Sequence, residues 1–168
     1  MNLCEKLEKM GIEIPPANIP TGAYSPVSRS GNLVFTSGQT PRRGGVLCYT
    51  GRLGENITLE QGISSAKQCA INCLALINDL AGGLDNIDQI IRVTGYVNCT
   101  PDFFKQSQVI DGASEFLIAL FGENGTHARS AIGVCALPGN APCEVEMIVR
   151  VKNPPDTDQS RQDSAIGK

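Results

Sequence analysis

Two stretches near residue 140 show the strongest alternation of apolar and polar positions in the chain. Residues 129–137 and 144–152 each predict a β-strand, and a short Pro/Gly segment joins them. In the second stretch one side is mainly charged and the other is apolar, made by Val145, Met147, Val149 and Val151. We predict that the two strands form a hairpin. It would hold Arg129 and Glu144 at opposite sides of a compact unit, or bring them together across an interface.

Helical spacing of apolar residues predicts three helices. The first covers residues 3–10, the longest covers residues 58–81, and the third covers residues 109–121. Thr58 and Gln61 have the spacing of a capping box, which marks the start of the long helix. The apolar face of that helix carries Ala and Cys at several positions, and such small side chains favour close packing on a sheet.

Further strands are predicted on either side of the long helix. Residues 24–29 and 33–37 flank a Ser-Gly-Asn turn and predict a hairpin. Residues 90–99 are rich in β-branched side chains and predict a central strand. After this strand, the pair Thr100-Pro101 predicts a helix cap, and a short helical turn would begin at Phe103.

The order of these elements predicts an α+β domain. Helices between strands require crossover connections, and two helices cover only one face of a mixed sheet. The other face then has to be buried by association of subunits, so we expect a closed symmetric oligomer. The chain divides into a short helix with a Pro-rich connector (residues 1–19), a main domain (20–152), and a polar tail (153–168) that we expect to be disordered.

Composition and charge restrict the cellular compartment and the classes of function that we expect. The formal net charge is -3 with a pI near 5.1, and this acidic balance argues against nucleic-acid binding. The seven cysteines include no C-x-x-C pair, no apolar run is long enough to span a membrane, and the charged N-terminus is unlike a signal peptide. We therefore expect a cytoplasmic protein in a reducing environment, with no membrane partner.

Standard catalytic sets are mostly missing from the sequence. His127 is the single histidine, which excludes a histidine metal cluster, and no glycine-rich phosphate-binding motif follows a strand. We therefore expect no metal site. A cation at Arg129 and a carboxylate at Glu144 could form a small-molecule site, although spacing alone favours a surface arginine and a strand-edge glutamate. Gly38 directly follows a strand, and it either lets a ligand or another backbone approach or simply ends that strand.

Several blocks of the sequence, in this order, resemble the Rid/YjgF family, also called the L-PSP endoribonuclease family. They are Tyr24, the segment GNLVFTSGQ at residues 31–39, the pairs Arg129-Ser130 and Leu137-Pro138, and the segment EVE at residues 144–146. The resemblance covers most of the chain, and the N-terminal segment together with NGTHARS at residues 124–130 is similar to a less-studied branch of the family.

The resemblance implies a chorismate-mutase-like α+β fold, with two helices packed on one face of a mixed sheet, and a homotrimer with clefts between subunits. It also implies hydrolysis of reactive 2-imino or 2-enamino acids to 2-keto acids and ammonia without a cofactor. Arg129 would bind the substrate carboxylate and Glu144 would position or activate water. The cleft would be completed by Tyr24 as a hydrogen-bond or proton donor, by Ser37 and Gly38 in its wall, and by the backbone at Ala131.

Departures from the family pattern leave alternatives open. Many deaminases of the family carry Cys at the position of Ala131, Glu146 shares a strand face with Glu144, and Asn98 is a candidate for the family's cleft asparagine. A non-catalytic protein that binds a small carboxylate would need Arg129 but not Glu144. An endoribonuclease or translation inhibitor, as the older family name implies, is disfavoured by the acidic balance and the single histidine.

Overall fold

The computed structural model describes residues 2–17, 22–81 and 83–152, without the side chains of Leu80 and Ala81. The tail from residue 153 and part of the boundary between connector and main domain lie outside the described residues. The helices are α1 (Leu3–Lys9), α2 (Leu59–Ala81) and α3 (Gln106–Phe121). The strands are β1 (Val27–Ser30), β2 (Leu33–Thr36), β3 (Arg42–Arg43), β4 (Val46–Leu47), β5 (Ile87–Asn98), β6 (Ala128–Val134) and β7 (Cys143–Val151). Short 3-10 turns cover Leu84–Asn86, Gly122–Gly125 and Pro138–Asn140.

The main sheet has five strands in the order β1-β2-β7-β5-β6. Neighbours along this order pair antiparallel, except that β6 runs parallel to β5. A parallel pair needs a crossover connection, and α3 makes it. The short strands β3 and β4 form a separate two-stranded ribbon. The predicted mixed α+β sheet is therefore confirmed, as is the hairpin near the start of the main domain.

Helix α2 begins where its capping box predicts. The Thr58 backbone N–H donates to Gln61 Oε1 at 2.9 Å, and the Gln61 N–H donates to Thr58 Oγ1 at 3.2 Å. Ala66, Cys69, Ala70 and Cys73 of α2 are fully buried in the core. Gly112 lets the two helices approach closely, because a Cβ at that position would overlap the Ile63 carbonyl oxygen.

The helices cover one face of the sheet and leave the other open. Along β7 the side chains alternate between buried and half-buried, and the apolar row predicted from the sequence faces α2. The open face carries apolar side chains that remain partly accessible, among them Phe35, Ile148 and Ile132, the last 43% exposed. Helix α1 is a third helix, and Lys6 Nζ donates to the carbonyl of Leu120 near the end of α3 at 2.7 Å.

The predicted hairpin between residues 129–137 and 144–152 is wrong. Both strands exist, but β5 lies between them and pairs with each. The connection crosses the end of β5 instead of turning tightly, and Asn98 Nδ2 holds it by donating to Asn140 Oδ1 at 3.0 Å and to the Ala141 carbonyl at 3.2 Å. Local alternation predicts a strand, but it does not specify the strand's partner.

The helical turn predicted from Phe103 is also wrong. Residues 101–105 form a turn and an irregular segment, and α3 begins only at Gln106. The Phe103 N–H donates to the Thr100 carbonyl at 3.2 Å, and Gln106 Nε2 donates to the Phe103 carbonyl at 2.6 Å. These bonds close a turn before the helix. In the part of the chain that the structure describes, no helix has the length and apolar character needed to cross a membrane.

Candidate active site

Glu144 lies on the open face of the sheet, near the start of β7. It pairs in register with Tyr96 on β5, and its side chain is half-buried. Gly38 lies against it, since a Cβ at that position would overlap the Glu144 carboxylate. The close neighbour of Gly38 is therefore the Glu144 side chain, not the ligand or second backbone considered from the sequence.

The segment after β2 is fixed in place beside Glu144. The Ser37 N–H donates to the Pro26 carbonyl at 2.8 Å, and Ser37 Oγ donates to the Ser25 carbonyl at 2.7 Å. Tyr24, the residue before Ser25, is 59% exposed. The end of β2, the approach to β1 and the start of β7 meet at one end of the antiparallel sheet. The structure therefore brings Tyr24, Ser37, Gly38 and Glu144 to the same region.

The surroundings of Glu144 favour its protonated form. Burial raises the pKa of the Glu144 carboxyl, and the negative charge of Glu146 on the same strand face raises it further. Tyr96 Oη donates to Glu146 Oε1 at 3.3 Å. Burial together with Glu146 and Glu144 also raises the pKa of the Tyr96 hydroxyl. A half-buried carboxyl with a raised pKa is a candidate for proton transfer.

Arg129 lies on β6 and points to the helix side of the sheet. Its NH1 group donates to Asp111 Oδ1 at 2.7 Å and to Ser114 Oγ at 3.0 Å, and its NH2 group donates to Ser107 Oγ at 2.7 Å. Ala131 follows on the same side of β6 and packs against the core. These contacts hold the guanidinium in one orientation, so it is positioned before any ligand binds.

Within one chain, Arg129 and Glu144 cannot form a common site. Arg129 shares a row of the sheet with Met147, three residues along β7 from Glu144, and β5 lies between the two strands. With about 3.3 Å per residue and about 4.8 Å between strands, their Cα atoms lie about 14 Å apart. Their side chains also point to opposite faces. The candidate site is thus divided into two halves.

The polar partners of Arg129 were not predicted from the sequence. Ser107, Asp111 and Ser114 lie on α3 at spacings of four and three residues, so they share one face of that helix. This polar row on one face of the helix was the signal that could have identified them.

Asn98, the candidate for the family's cleft asparagine, is fully buried and bound to loop atoms. It supports the fold instead of lining an open cleft. Across residues 2–17, 22–81 and 83–152, no group of three or more His, Cys, Asp or Glu side chains is arranged to hold a metal ion.

Comparison with known proteins assigns the chain to a family. The family described as "YjgF/chorismate mutase-like, putative endoribonuclease" matches residues 5–151. The chain belongs to this family. The resemblance to YjgF proteins predicted from the sequence, and the chorismate-mutase-like fold that it implied, are therefore confirmed.

Three proteins illustrate the similarity of this chain to known proteins. Protein TCP17 of Trypanosoma cruzi is 36% identical over 148 residues, which cover 88% of this chain and 92% of that protein. A 2-iminobutanoate/2-iminopropanoate deaminase of Dermatophagoides farinae is 29% identical over 146 residues, covering 84% and 95%. The crystal structure of Agrobacterium tumefaciens protein Atu1372, of unknown function, has a TM-score of 0.84 at 36% identity and covers 89% of this chain and 92% of that one.

Proposed function

We propose that this protein hydrolyses 2-imino or 2-enamino acids to 2-keto acids and ammonia. The observation that carries the proposal is the pair of prepared half-sites: a guanidinium held in place at Arg129, and a half-buried carboxyl with a raised pKa at Glu144. The similarity to a protein named 2-iminobutanoate/2-iminopropanoate deaminase supports the same chemistry.

The proposed roles follow from the chemistry of each side chain. Arg129 binds the substrate carboxylate through two parallel N–H donors. Glu144 takes a proton from water as the water attacks C2 of the imine. Tyr24, exposed beside the Ser37–Gly38 wall, supplies a hydrogen bond or proton to the departing nitrogen. The backbone near Ala131 borders the carboxylate. No step needs a cofactor.

We propose that the two halves meet between subunits of a homotrimer. The half with Glu144 lies on the open face, which carries accessible apolar side chains that association would bury. The half with Arg129 lies at the edge strand β6. A closed ring of copies would bring the edge of one subunit to the open face of the next. The seven unpaired cysteines fit the reducing cytoplasm as the place of this activity.

The proposal is tested by ammonia release from freshly generated 2-iminopropanoate or 2-iminobutanoate. The protein is expected to accelerate release well above the uncatalysed rate. A folded oligomer that gives no acceleration would contradict the proposed activity.

Gly38→Ala is expected to lower kcat/KM about 10- to 100-fold, because the added methyl group displaces the Glu144 carboxylate from its position. The measurement is imine hydrolysis by the single variant and by the variant that also carries Glu144→Gln. If Gly38 acts through Glu144, the second change adds little to the first. Fully additive losses would show that Gly38 has a separate role.

A non-catalytic protein that binds a small carboxylate is the main alternative, because the Arg129 half-site alone could serve it. Glu144→Gln separates the two, since a binding protein would lose nothing. The endoribonuclease activity in the family description has less support from this chain. Its single histidine is engaged with Ser114 and the Gly125 carbonyl, and the chain is acidic. A salt titration of RNA binding checks this, and we expect none at low salt.

A further inference from the structure

The guanidinium of Arg129 retains two donors after its protein contacts are counted. Both NH1 hydrogens are used, by Asp111 and Ser114, and one NH2 hydrogen is used by Ser107. A guanidinium has five N–H groups. Nε–H and one NH2 hydrogen therefore have no partner among the described residues. Two donors are the number that a bidentate carboxylate takes.

Asp111 also has a hydrogen-bond acceptor that its contacts with the described residues leave unused. Its Oδ1 accepts from Arg129 NH1 at 2.7 Å, whereas no partner of Oδ2 is found in the described part of the chain. The Asp111 side chain is 44% exposed, compared with 21% for Arg129. A carboxylate oxygen is an acceptor only, so the accessible Oδ2 is suited to a cationic N–H donor.

A chain of hydrogen bonds through His127 and Ser114 orients Arg129 in its ion pair with Asp111. His127 Nδ1 lies 2.6 Å from the Gly125 carbonyl, which can only accept, so Nδ1 donates and the neutral ring accepts at Nε2. Ser114 Oγ lies 3.0 Å from Nε2 and donates to it, which leaves its oxygen to accept from Arg129. Burial lowers the pKa of His127, the hydrogen bond to the Gly125 carbonyl raises it in part, and the Arg129 charge lowers it, so the net effect favours the neutral ring.

We infer that Arg129 and Asp111 together recognise a zwitterion: a carboxylate on the guanidinium and a protonated nitrogen, iminium or ammonium, on Asp111 Oδ2. This inference rests on the proposed function, and it names the protonated iminium acid as the form of substrate that binds. The pair has no net charge, and neither has the zwitterion. A ligand with a carboxylate but no cation would leave Asp111 facing a like charge, which weakens its binding.

The assignment also accounts for release of the product. The iminium acid R–C(=NH2+)–COO− and water give R–CO–COO− and NH4+, with atoms and charge balanced. The C2–N bond breaks, its electron pair leaves with nitrogen, and both water protons end on the ammonium ion or pass through Glu144 to it. The keto acid has lost the cation that Asp111 binds. It therefore binds less tightly than the substrate and leaves.

Calorimetric titration tests this assignment with two stable ligands of the same chain length, the zwitterion 2-aminobutanoate and the keto acid 2-oxobutanoate. The wild-type protein is expected to bind the zwitterion more tightly. Asp111→Asn should weaken binding of 2-aminobutanoate about 10- to 100-fold, the effect of losing a hydrogen bond to a charged group, and leave binding of 2-oxobutanoate unchanged or stronger. Asp111→Glu, which keeps the charge, should retain part of the preference.

Glu115→Gln is the matched control, because it removes an exposed negative charge four residues further along α3. It should keep the preference of the wild type. Tighter binding of the keto acid than of the zwitterion by the wild type would overturn the assignment. An equal loss of affinity for both ligands in Asp111→Asn would also overturn it, since Asp111 would then only orient Arg129. If 2-aminobutanoate binds through Asp111 but no imine is hydrolysed, the assignment stands and the proposed deaminase activity fails.

Discussion

Arg129→Ala is expected to lower kcat/KM for imine hydrolysis about 100- to 10,000-fold. The substitution removes two charge-assisted hydrogen bonds to the substrate carboxylate, each contributing about 1.5–3 kcal/mol. Arg129→Lys should recover only part of the loss, because an ammonium cannot donate two parallel hydrogen bonds. The measurement is steady-state kinetics of ammonia release by the three proteins.

Arg129→Ala should lower kcat/KM without changing the oligomeric state. The ion pair of Arg129 with Asp111 is partly exposed, and such pairs contribute about 0–1 kcal/mol to stability. Size-exclusion chromatography should therefore show the same oligomer for Arg129→Ala and the wild type. Arg43→Ala, which removes a positive charge from the exposed β3–β4 ribbon, should leave turnover unchanged. An Arg129→Ala variant that dissociates would show that Arg129 has a structural role instead.

Glu144→Gln is expected to keep ligand affinity and to lose about 100- to 10,000-fold in kcat, since glutamine cannot accept the proton of water. The pH dependence of kcat/KM should show whether Glu144 is the base. A base acts when it is deprotonated, so kcat/KM falls as the pH drops through the raised pKa of Glu144. That acid limb should lie above the ordinary range of a glutamate and should be missing from the Glu144→Gln variant.

Glu146→Gln is the matched control for Glu144→Gln, because it makes the same change two residues further on the same strand face. The Glu146→Gln variant should still hydrolyse the imine. Removing the Glu146 charge should also lower the pKa of Glu144, so the acid limb should move to lower pH. Loss of turnover in Glu146→Gln equal to that in Glu144→Gln would exclude Glu144 as the specific base.

Sequence patterns predicted the elements of this fold better than their arrangement. The capping box at Thr58 and the alternation along β7 are local signals, and the structure confirms both. The partner of β6 is set by a long-range parallel pairing that α3 makes possible, and no feature within residues 129–137 encodes it. The hairpin prediction failed for this reason.

The candidate site also combines residues that local sequence patterns indicate with an arrangement that they do not. The sequence identified Arg129 and Glu144, and counting along β7 placed Glu144 and Glu146 on one face. The opposite orientation of Arg129 depends on the register between β5 and its two neighbours, which becomes visible only in the folded sheet. Asp111 was missed because the helix was predicted from its apolar face, and the polar row of Ser107, Asp111 and Ser114 gains a meaning only once Arg129 is seen to lie against it.

The sharing of one site between two copies is tested most directly by mixing two inactive variants. Arg129→Ala and Glu144→Gln proteins, carrying different affinity tags, are co-expressed, and oligomers with both tags are purified. If each site takes Arg129 from one copy and Glu144 from the next, one of the three sites in every trimer that contains both variants has both residues, and activity should return to about one third of wild type. Mixed oligomers no more active than either variant alone would contradict a site shared between subunits.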